Sequence, residues 1–318
     1  MERPTVSDFP TGPASFTDRS ALSHLPGAHE SDGGFCFRLF APHAAAAFVV
    51  GEFCSWQQGV PMHRDQASGL WEAFCGQASA GQLYKFRLVL PDGEVVYMAD
   101  PYALDAERGG GQASRLTLPW SLWQDSGYLT YRRASLDTPV NACRLSERLP
   151  TGLFAWAEDV APFIKQMGYT HLLLPYPLRA GTLLPHGSVG SPDALSAAVN
   201  ALHRAGIGVI ARWPVEKASP DGPSAVLCAR HLIERFHIDG LWPQGSADDA
   251  VRLLSRLYPD ARVLGGKAPV HVFDPRPLAD AELTERYEAH IRAPGDKLML
   301  LEGRLAVRRV ADLNHSLL

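Results

Sequence analysis

The first third of the chain alternates apolar residues with polar or small ones, which is the pattern of β-strands with one buried face. Phe35, Phe37 and Leu39 open this pattern. The same alternation, with turn residues in between, predicts further strands over 47–50, 70–74, 84–90 and 94–98. Strands this short and closely spaced predict a β-sandwich of about 70 residues.

After Pro139 the period changes, and short apolar strands alternate with amphipathic helices. Ser191 and Pro192 read as the N-cap and first-turn proline of one helix, and Gly206 as its stop. Strands are predicted over 140–145, 170–174, 207–213, 239–242, 261–264, 270–274 and 297–301, and helices over 157–167, 191–204, 224–236, 247–258 and 279–291. Repeated βα units imply a parallel sheet covered by helices, either a closed barrel or an open sheet. No Gly-rich phosphate loop follows a predicted strand, which argues against a nucleotide-binding fold.

These patterns divide the chain into four parts. They predict a loose lead-in over 1–32, a β-sandwich over 33–106, a linker over 107–138 and an α/β domain over 139–318. The lead-in is rich in Pro, Ser and Gly.

Charge and composition exclude several function classes. The net charge is −4 with no block of like charges, which argues against nucleic acid or a membrane as partner. No stretch approaches the ~20 apolar residues that span a bilayer, and the start lacks a signal-peptide core. The five cysteines fit neither a metal spacing nor a disulfide framework. We therefore expect no metal, no cofactor and a reducing cytoplasm as the location.

Five short motifs follow one another along the β-region, and their order and spacing together make them informative. They are 40–44 (Phe-Ala-Pro-His-Ala), 49–56 (Val-Val-Gly-Glu-Phe-Cys-Ser-Trp), 69–72 (Gly-Leu-Trp-Glu), 81–86 (Gly-Gln-Leu-Tyr-Lys-Phe) and 99–103 (Ala-Asp-Pro-Tyr-Ala). This region resembles the immunoglobulin-like, carbohydrate-binding β-sandwich that precedes the catalytic barrel of glycogen branching and debranching enzymes.

The second half resembles the barrel of the same enzymes, which belong to the α-amylase superfamily. The similar segments are 165–172, 190–195, 203–210, 236–241 and 293–299. The resemblance implies a (β/α) TIM-type barrel. It is a shortened one, because the stretch between Gly266 and Val270 is too short for a helix and a sixth strand. The resemblance also implies a truncated chain that lacks a β-rich C-terminal domain.

The catalytic chemistry of this family needs two carboxyl groups about 5 Å apart, one as nucleophile and one as acid. The resemblance places Arg212 where the family has an Asp, Gln244 at the nucleophile and Gly266 at the acid. Asp274 is the candidate relic of a seventh-strand His-Asp pair. An amide or a glycine cannot replace these carboxylates, so we expect a pseudoenzyme.

Trp56 and Lys85 are the candidate carbohydrate-binding residues, because an indole stacks on a pyranose and an ammonium donates to its hydroxyls. The family uses these two positions where its module binds glucan. The alternative is that Trp56 closes a turn and Lys85 is a solvated strand residue. Trp71, in mid-strand, is expected in the core.

Three functions stay open on the sequence. The first is a pseudoenzyme that binds α-glucan, such as glycogen or a maltooligosaccharide, or a protein of glycogen metabolism. The second is an active branching enzyme that uses displaced carboxylates, with Glu216 and Asp274 as the candidates. An unrelated new site formed by Glu216, Asp274 and Lys217 is a separate alternative. The third is a structural protein with a protein partner or a homodimer interface. His203 is expected to pack or to meet solvent rather than bind a metal, and Asp239 is expected at the surface.

Overall fold

The computed structural model describes residues 26–66, 69–108, 111–118, 122–134, 138–145, 153–174, 191–214, 225–244, 248–264, 270–301 and 304–317. These residues form two compact units, one over 26–118 and the other over 122–317. Within them, no helix combines the length and the apolar character that a bilayer crossing requires. All five cysteines are free thiols.

The first unit contains two antiparallel sheets, as the alternating pattern predicts. One sheet has the order β1 (Gly27–Ser31), β2 (Gly34–Phe40), β6 (Leu70–Cys75) and β5 (His63–Arg64). The other has the order β4 (Val60–Pro61), β3 (Ala46–Gly51), β7 (Leu83–Val89), β10 (Ser114–Arg115) and β9 (Asp105–Ala106), with β8 (Val95–Met98) also paired to β7. Strand β1 lies in the segment that we expected to be the lead-in.

The core of this unit is made by the inward-facing positions of both sheets. Trp71 is buried there, as the sequence predicts, and its indole N–H donates to the Ala41 carbonyl at 2.8 Å. Phe37 packs edge-on against Tyr84, with ring centroids 5.3 Å apart. Because the side chains alternate, each buried residue leaves its neighbour on the outer face of the sheet.

One carboxyl group is buried in this core. Asp100 accepts hydrogen bonds from the Tyr84 hydroxyl and, at 2.8 Å, from the Tyr102 backbone N–H. Burial raises the pKa of Asp100 to about 6, although these hydrogen bonds act in the opposite direction. The segment 99–103 therefore has a structural role, since it closes the sandwich against β7.

The second unit is built on seven parallel strands. They are β11 (Asn141–Leu145), β12 (His171–Leu174), β13 (Gly208–Pro214), β14 (Gly240–Gln244), β15 (Arg262–Val263), β16 (His271–Phe273) and β17 (Lys297–Leu301), in the sheet order β15-β14-β13-β12-β11-β17-β16. The helices are α1 (Ser126–Ala134), α2 (Leu153–Gln166), α3 (Pro192–Arg204), α4 (Ala225–Phe236), α5 (Asp248–Leu257), α6 (Asp280–Arg292) and α7 (Arg304–Leu317). Every strand predicted in this half is present, whereas α1 lies in the predicted linker and α7 was not predicted.

The sheet curls, although β15 and β16 stand at its two ends. Leu264 and Val270, beside the two end strands, pack into the same apolar cluster as Ile210 of β13. The described strands therefore form a partial barrel, consistent with the shortened barrel that the sequence predicts.

Helix α3 begins and ends as its sequence predicts. The Ser191 hydroxyl accepts a hydrogen bond from the Ala194 backbone N–H at 3.1 Å, and Pro192 occupies the first turn. Gly206 adopts a φ of 78° just beyond the last turn. These terminal signals are local, so they are readable without knowledge of the fold.

A buried charge cluster lies at the N-terminal end of the strands. Asp239, directly before β14, is fully buried, so the expectation of a surface charge is wrong. His203 of α3 bridges it to Asp125, with ring nitrogens 2.9 Å and 2.8 Å from the two carboxylates. Arg132 of α1 donates to Asp239 at 2.9 Å, and the Val209 backbone N–H donates to it at 2.6 Å.

Both ring nitrogens of His203 face carboxylate oxygens, so both must carry a proton. Burial alone would lower the pKa of His203, but the hydrogen bonds and charges of Asp125 and Asp239 outweigh it and raise the pKa. Burial likewise opposes ionisation of Asp239, yet His203 and Arg132 lower its pKa. Two carboxylates and two cations, His203 and Arg132, therefore form a cluster that joins α1, α3, β13 and β14, and a ring nitrogen of His237 also lies 2.8 Å from Asp125.

We predict that His203→Gln destabilises the second unit by about 3–5 kcal/mol, because one amide cannot neutralise two buried carboxylates. The raised pKa of His203 means that its contribution is present below its ordinary value of 6.5 and is lost as pH rises through the raised value. Calorimetric unfolding across pH 6 to 9 should show this alkaline loss in the wild type and not in the variant. His63→Gln, at an exposed position, is the control; a pH profile of His203→Gln that matches the wild type would contradict the charge assignment.

We predict that Asp100→Asn stabilises the first unit relative to the wild type increasingly as pH rises from 4 to 6. The pKa of Asp100 is about 6 in the fold against an ordinary 3.8, so its ionisation opposes folding across this range. The difference in unfolding free energy should grow by about 3 kcal/mol and then stay constant above pH 6. Asp92→Asn in the exposed hairpin is the control, and a difference independent of pH would refute the assignment.

Candidate functional site

The outer face of the six-stranded sheet carries Lys85, one of the two predicted sugar-binding residues. Along β7, Tyr84 and Phe86 point into the core, while Lys85 and Arg87 point outward. Lys85 lies opposite Val50 of the neighbouring strand β3. The alternation of one strand thus places two cations side by side on one surface.

Trp56, the other predicted residue, lies at the end of a tight turn that follows β3. Its backbone N–H donates to the Gly51 carbonyl at 2.9 Å. Ser55 and Trp56 have φ values of 52° and 61°, so two successive residues with side chains adopt the left-handed conformation. This costs roughly 1–2 kcal/mol per residue, and it persists only where the surroundings enforce it. The indole is 41% exposed.

The loop that carries Trp56 is fastened over the outer face of the sheet. The Arg87 guanidinium donates to the Gln58 carbonyl at 2.8 Å and lies 4.3 Å from the centre of the Phe48 ring. A Cβ on Gly59 would come within 2.7 Å of a Val50 methyl carbon, so only glycine allows the loop this close to β3. The loop therefore lies over β3 at the position of Val50, which pairs with Lys85 of β7.

A second exposed aromatic side chain shares this face. Tyr97 of β8 pairs with Arg87 of β7, and its side chain is 55% exposed. Sequence reasoning missed this residue, because alternation shows that Tyr97 points away from its neighbours but not which strand lies opposite. Strand register thus places Lys85, Arg87 and Tyr97 on the outer face, and the loop that carries Trp56 is fastened over it. We define the outer face by Trp56, Lys85, Arg87 and Tyr97.

The C-terminal ends of the parallel strands are where the barrel fold places catalytic groups. Ile210 and Trp242 contact the interior cluster, so alternation also turns Arg212, two residues after Ile210, inward. The Arg212 guanidinium lies 5.8 Å from the centre of the Trp242 ring. A cation on a ring therefore occupies the place where the resemblance expects the first catalytic carboxylate.

Asp274, the candidate relic, follows β16 at the same end of the sheet. Arg276 donates to both of its carboxylate oxygens, with one Nε–Oδ1 distance of 2.8 Å. These hydrogen bonds are the main reason that the pKa of Asp274 is lowered. The carboxylate is thus ionised and held by its own loop. Glu216, Lys217, Gly266 and the side chain of Gln244 lie outside the described residues.

Comparison with known proteins gives a matching result for each unit. Residues 26–103 match carbohydrate-binding module 48, the isoamylase N-terminal domain. The 1,4-alpha-glucan branching enzymes GlgB of Kitasatospora aureofaciens and Aromatoleum aromaticum are 34% and 32% identical to the chain, each over 68% of its length. The chain is a relative of the glycogen branching enzymes.

The aligned regions cover 30% and 43% of those two enzymes, so the chain spans well under half of the length of these curated relatives. Among solved structures, a putative alpha amylase from Salmonella typhimurium matches 75% of this chain and 48% of its own, with a TM-score of 0.56 and 17% identity. The Group B Streptococcus pullulanase SAP in complex with maltotetraose matches 78% and 47%, with a TM-score of 0.57 and 14% identity. At these identities the likeness concerns the fold, a β-sandwich and an α-amylase-type barrel.

Proposed function

We propose that this protein binds α-glucan on the outer face of its β-sandwich and does not catalyse glucan transfer. The observation that supports glucan binding is the outer face, with Trp56, Lys85, Arg87 and Tyr97. The proposal that the protein does not catalyse transfer rests on Arg212 and Arg276, which are cations at the strand ends where the reaction needs carboxylates.

The outer face has the chemistry that a glucan chain requires. The C–H face of a pyranose packs on an aromatic ring, and its hydroxyls accept hydrogen bonds from cations. Trp56 and Tyr97 supply rings, while Lys85 supplies the ammonium between the loop and the hairpin. The rigid fastening of the loop lowers the entropy lost on binding, which favours affinity for a flexible polymer.

The relatives give the sugar class. The two branching enzymes compared above are named for 1,4-alpha-glucan, and the pullulanase that shares the fold was solved with maltotetraose. An α-1,4-linked chain is therefore the ligand class that we propose. A cytoplasmic location and a protein partner or homodimer stay predictions from the sequence.

Inactivity follows from the chemistry of the strand ends. A retaining transfer needs a nucleophile and an acid about 5 Å apart, and a missing one typically costs factors of ~10⁴. Arg212 replaces one carboxylate, and Asp274 is engaged by Arg276 on both oxygens. Gln244 and Gly266 replace the other two groups in the sequence. Asp274 alone gives no reason to favour an active enzyme with displaced carboxylates.

We predict that Trp56→Ala weakens glycogen binding at least tenfold, because it removes the larger of the two exposed rings. Native affinity electrophoresis in gels with and without glycogen measures this directly. Phe74→Ala is the matched control, because Phe74 is 50% exposed on the outer face of the other sheet. Tyr97→Ala should also weaken binding. Equal retardation of Trp56→Ala and wild type would reject the surface, and no retardation of either would favour an interaction protein.

We predict no branching activity for the purified chain. Incubation with amylose, followed by debranching and chain-length analysis, should yield no new α-1,6 branch points. The same assay on Asp274→Asn should also show no new α-1,6 branch points. Activity in the wild type that disappears in Asp274→Asn would establish the alternative of an active enzyme with displaced carboxylates.

A further inference from the structure

Residues 122–134, which include α1, lie against the N-terminal end of the parallel sheet, and we name this segment the strap. Its two large apolar side chains, Leu122 and Tyr131, are 68% and 65% exposed. Among the strap side chains that the structure describes, only Asp125 is buried. The neighbouring helix α3, by contrast, buries an apolar stripe. Apolar burial therefore holds α3, whereas it contributes less to holding the strap.

Charged groups attach the strap to the rest of the unit. The Asp125 carboxylate lies 2.8 Å from a ring nitrogen of His203 and, through the same oxygen, 2.8 Å from a ring nitrogen of His237. Arg132 of α1 donates to Asp239 at 2.9 Å. Both carboxylates are buried, so this attachment needs donors that compensate each of them for the loss of water.

Two stacked ring pairs accompany these contacts. Tyr128 of α1 lies on His203, with ring centroids 4.2 Å apart, and Trp123 lies on His237, with ring centroids 3.7 Å apart. Each imidazole is therefore held by a carboxylate and by an aromatic ring of the same strap. The strap contacts thus converge on two histidines, one at the end of α3 and one in the turn before β14.

The protonation of His203 decides whether these contacts are compatible with one another. Its two ring nitrogens face Asp125 in the strap and Asp239 at the sheet. A neutral imidazole has one N–H, so it donates to one of these carboxylates and turns a lone pair towards the other. Asp239 also accepts a hydrogen bond from the Val209 backbone N–H and stays with the sheet. Detachment of the strap returns Asp125 to water and removes the conflict, so the neutral ring favours detachment.

We propose that the strap is a pH-sensitive closure of this end of the sheet. It lies in place while both ring nitrogens of His203 carry protons, and it detaches as a unit when the ring is neutral. Helix α3 and strands β13 and β14 stay folded, because the strands are paired and fully buried side chains such as Leu195 and Val209 hold them together. This inference concerns the second unit and does not depend on glucan binding by the first.

Four other groups face this cluster and keep their charge between pH 6 and 9. Burial lowers the pKa of His171 on β12 to about 4, so this ring is neutral throughout. Burial raises the pKa of the Tyr128 hydroxyl, which therefore stays protonated. The guanidinium groups of Arg132 and Arg262 stay charged at every pH in this range. The strap contacts of these four groups therefore do not change with pH.

His203 loses its second proton within or above this range. Burial alone would lower the pKa of His203, but the hydrogen bonds from its ring to Asp125 and Asp239 raise it. Opening removes Asp125, so in the open strap the pKa returns towards its ordinary 6.5. The closed strap is therefore fully favoured below about pH 6.5, loses stability as pH rises from there to the raised pKa, and changes no further above it.

Hydrogen exchange of the full chain, followed by mass spectrometry from pH 5 to pH 9, tests the proposal. After correction for the intrinsic exchange rate, the protection of the α1 amides should be constant below about pH 6.5. It should then fall by up to about tenfold per pH unit, because opening releases one proton. The amides of α3 and β13 should keep their protection over the same range. Protection of α1 that does not change with pH, or that is lost together with that of α3 and β13, would overturn the proposal.

Three variants assign the effect to one histidine. In Asp125→Asn the amide can accept from a protonated ring or donate to a neutral one, so α1 protection should change by less than about twofold between pH 7 and 9. His237→Gln leaves His203 facing Asp125 and should keep the pH dependence of the wild type, at a lower overall protection. His271→Gln, at a half-buried position on β16, is the matched control and should behave as the wild type.

Two results with these variants would refute the role of His203. One is a pH dependence that survives Asp125→Asn, and the other is a pH dependence that His237→Gln abolishes. The protection of the α3 amides reports whether each variant is folded. The wild-type profile, which needs no substitution, decides on its own whether the strap opens separately from the sheet.

Discussion

The protonated ring of His203 between Asp125 and Asp239 is the interaction on which the second unit depends. Neither carboxylate could stay ionised in the interior alone, because the desolvation of each is worth several kcal/mol. With Arg132, His203 supplies positive charge to both carboxylates and satisfies hydrogen bonds on both sides. The cluster joins residues 36 to 107 positions apart in the chain, so it forms only when helices and strands are already assembled.

The two ends of the parallel sheet therefore serve different purposes. The N-terminal end holds the cluster of His203, Asp125, Asp239 and Arg132, which contributes stability, whereas the C-terminal end carries Arg212 and the pair of Asp274 and Arg276. Barrel proteins in general separate stability and chemistry in this way. If the strand-end carboxylates are replaced, as we propose, this separation explains why the fold persists. Arg212 lies at the opposite end of β13 from Val209, whose backbone N–H donates to Asp239.

Much of this architecture is predictable from the sequence because its signals are local. Strand alternation, the Ser191 cap and the glycine stops depend on a few neighbouring residues, and the structure confirms them. The buried state of Asp239 is not local, since it results from His203 and Arg132. Tyr97 was missed for a related reason: its face is known only once the β7–β8 register is known. Helix α1 carries two arginines and no strong apolar stripe, so it depends on contacts such as that of Arg132.

The conformation of Trp56 is the strongest argument that the outer face is more than a structural support. A tryptophan that merely closed a turn would bury its indole, since that burial provides the stabilisation. Trp56 instead keeps 41% of its surface exposed on a backbone that adopts the left-handed conformation twice in succession. Arg87 holds the loop there through Gln58, although a relaxed turn would cost less. The same turn places Phe53 in the core, 5.7 Å from Phe37 between ring centroids, so its conformation also serves packing. The exposed ring of Trp56 adds nothing to that core, and it is this ring for which we propose a ligand contact.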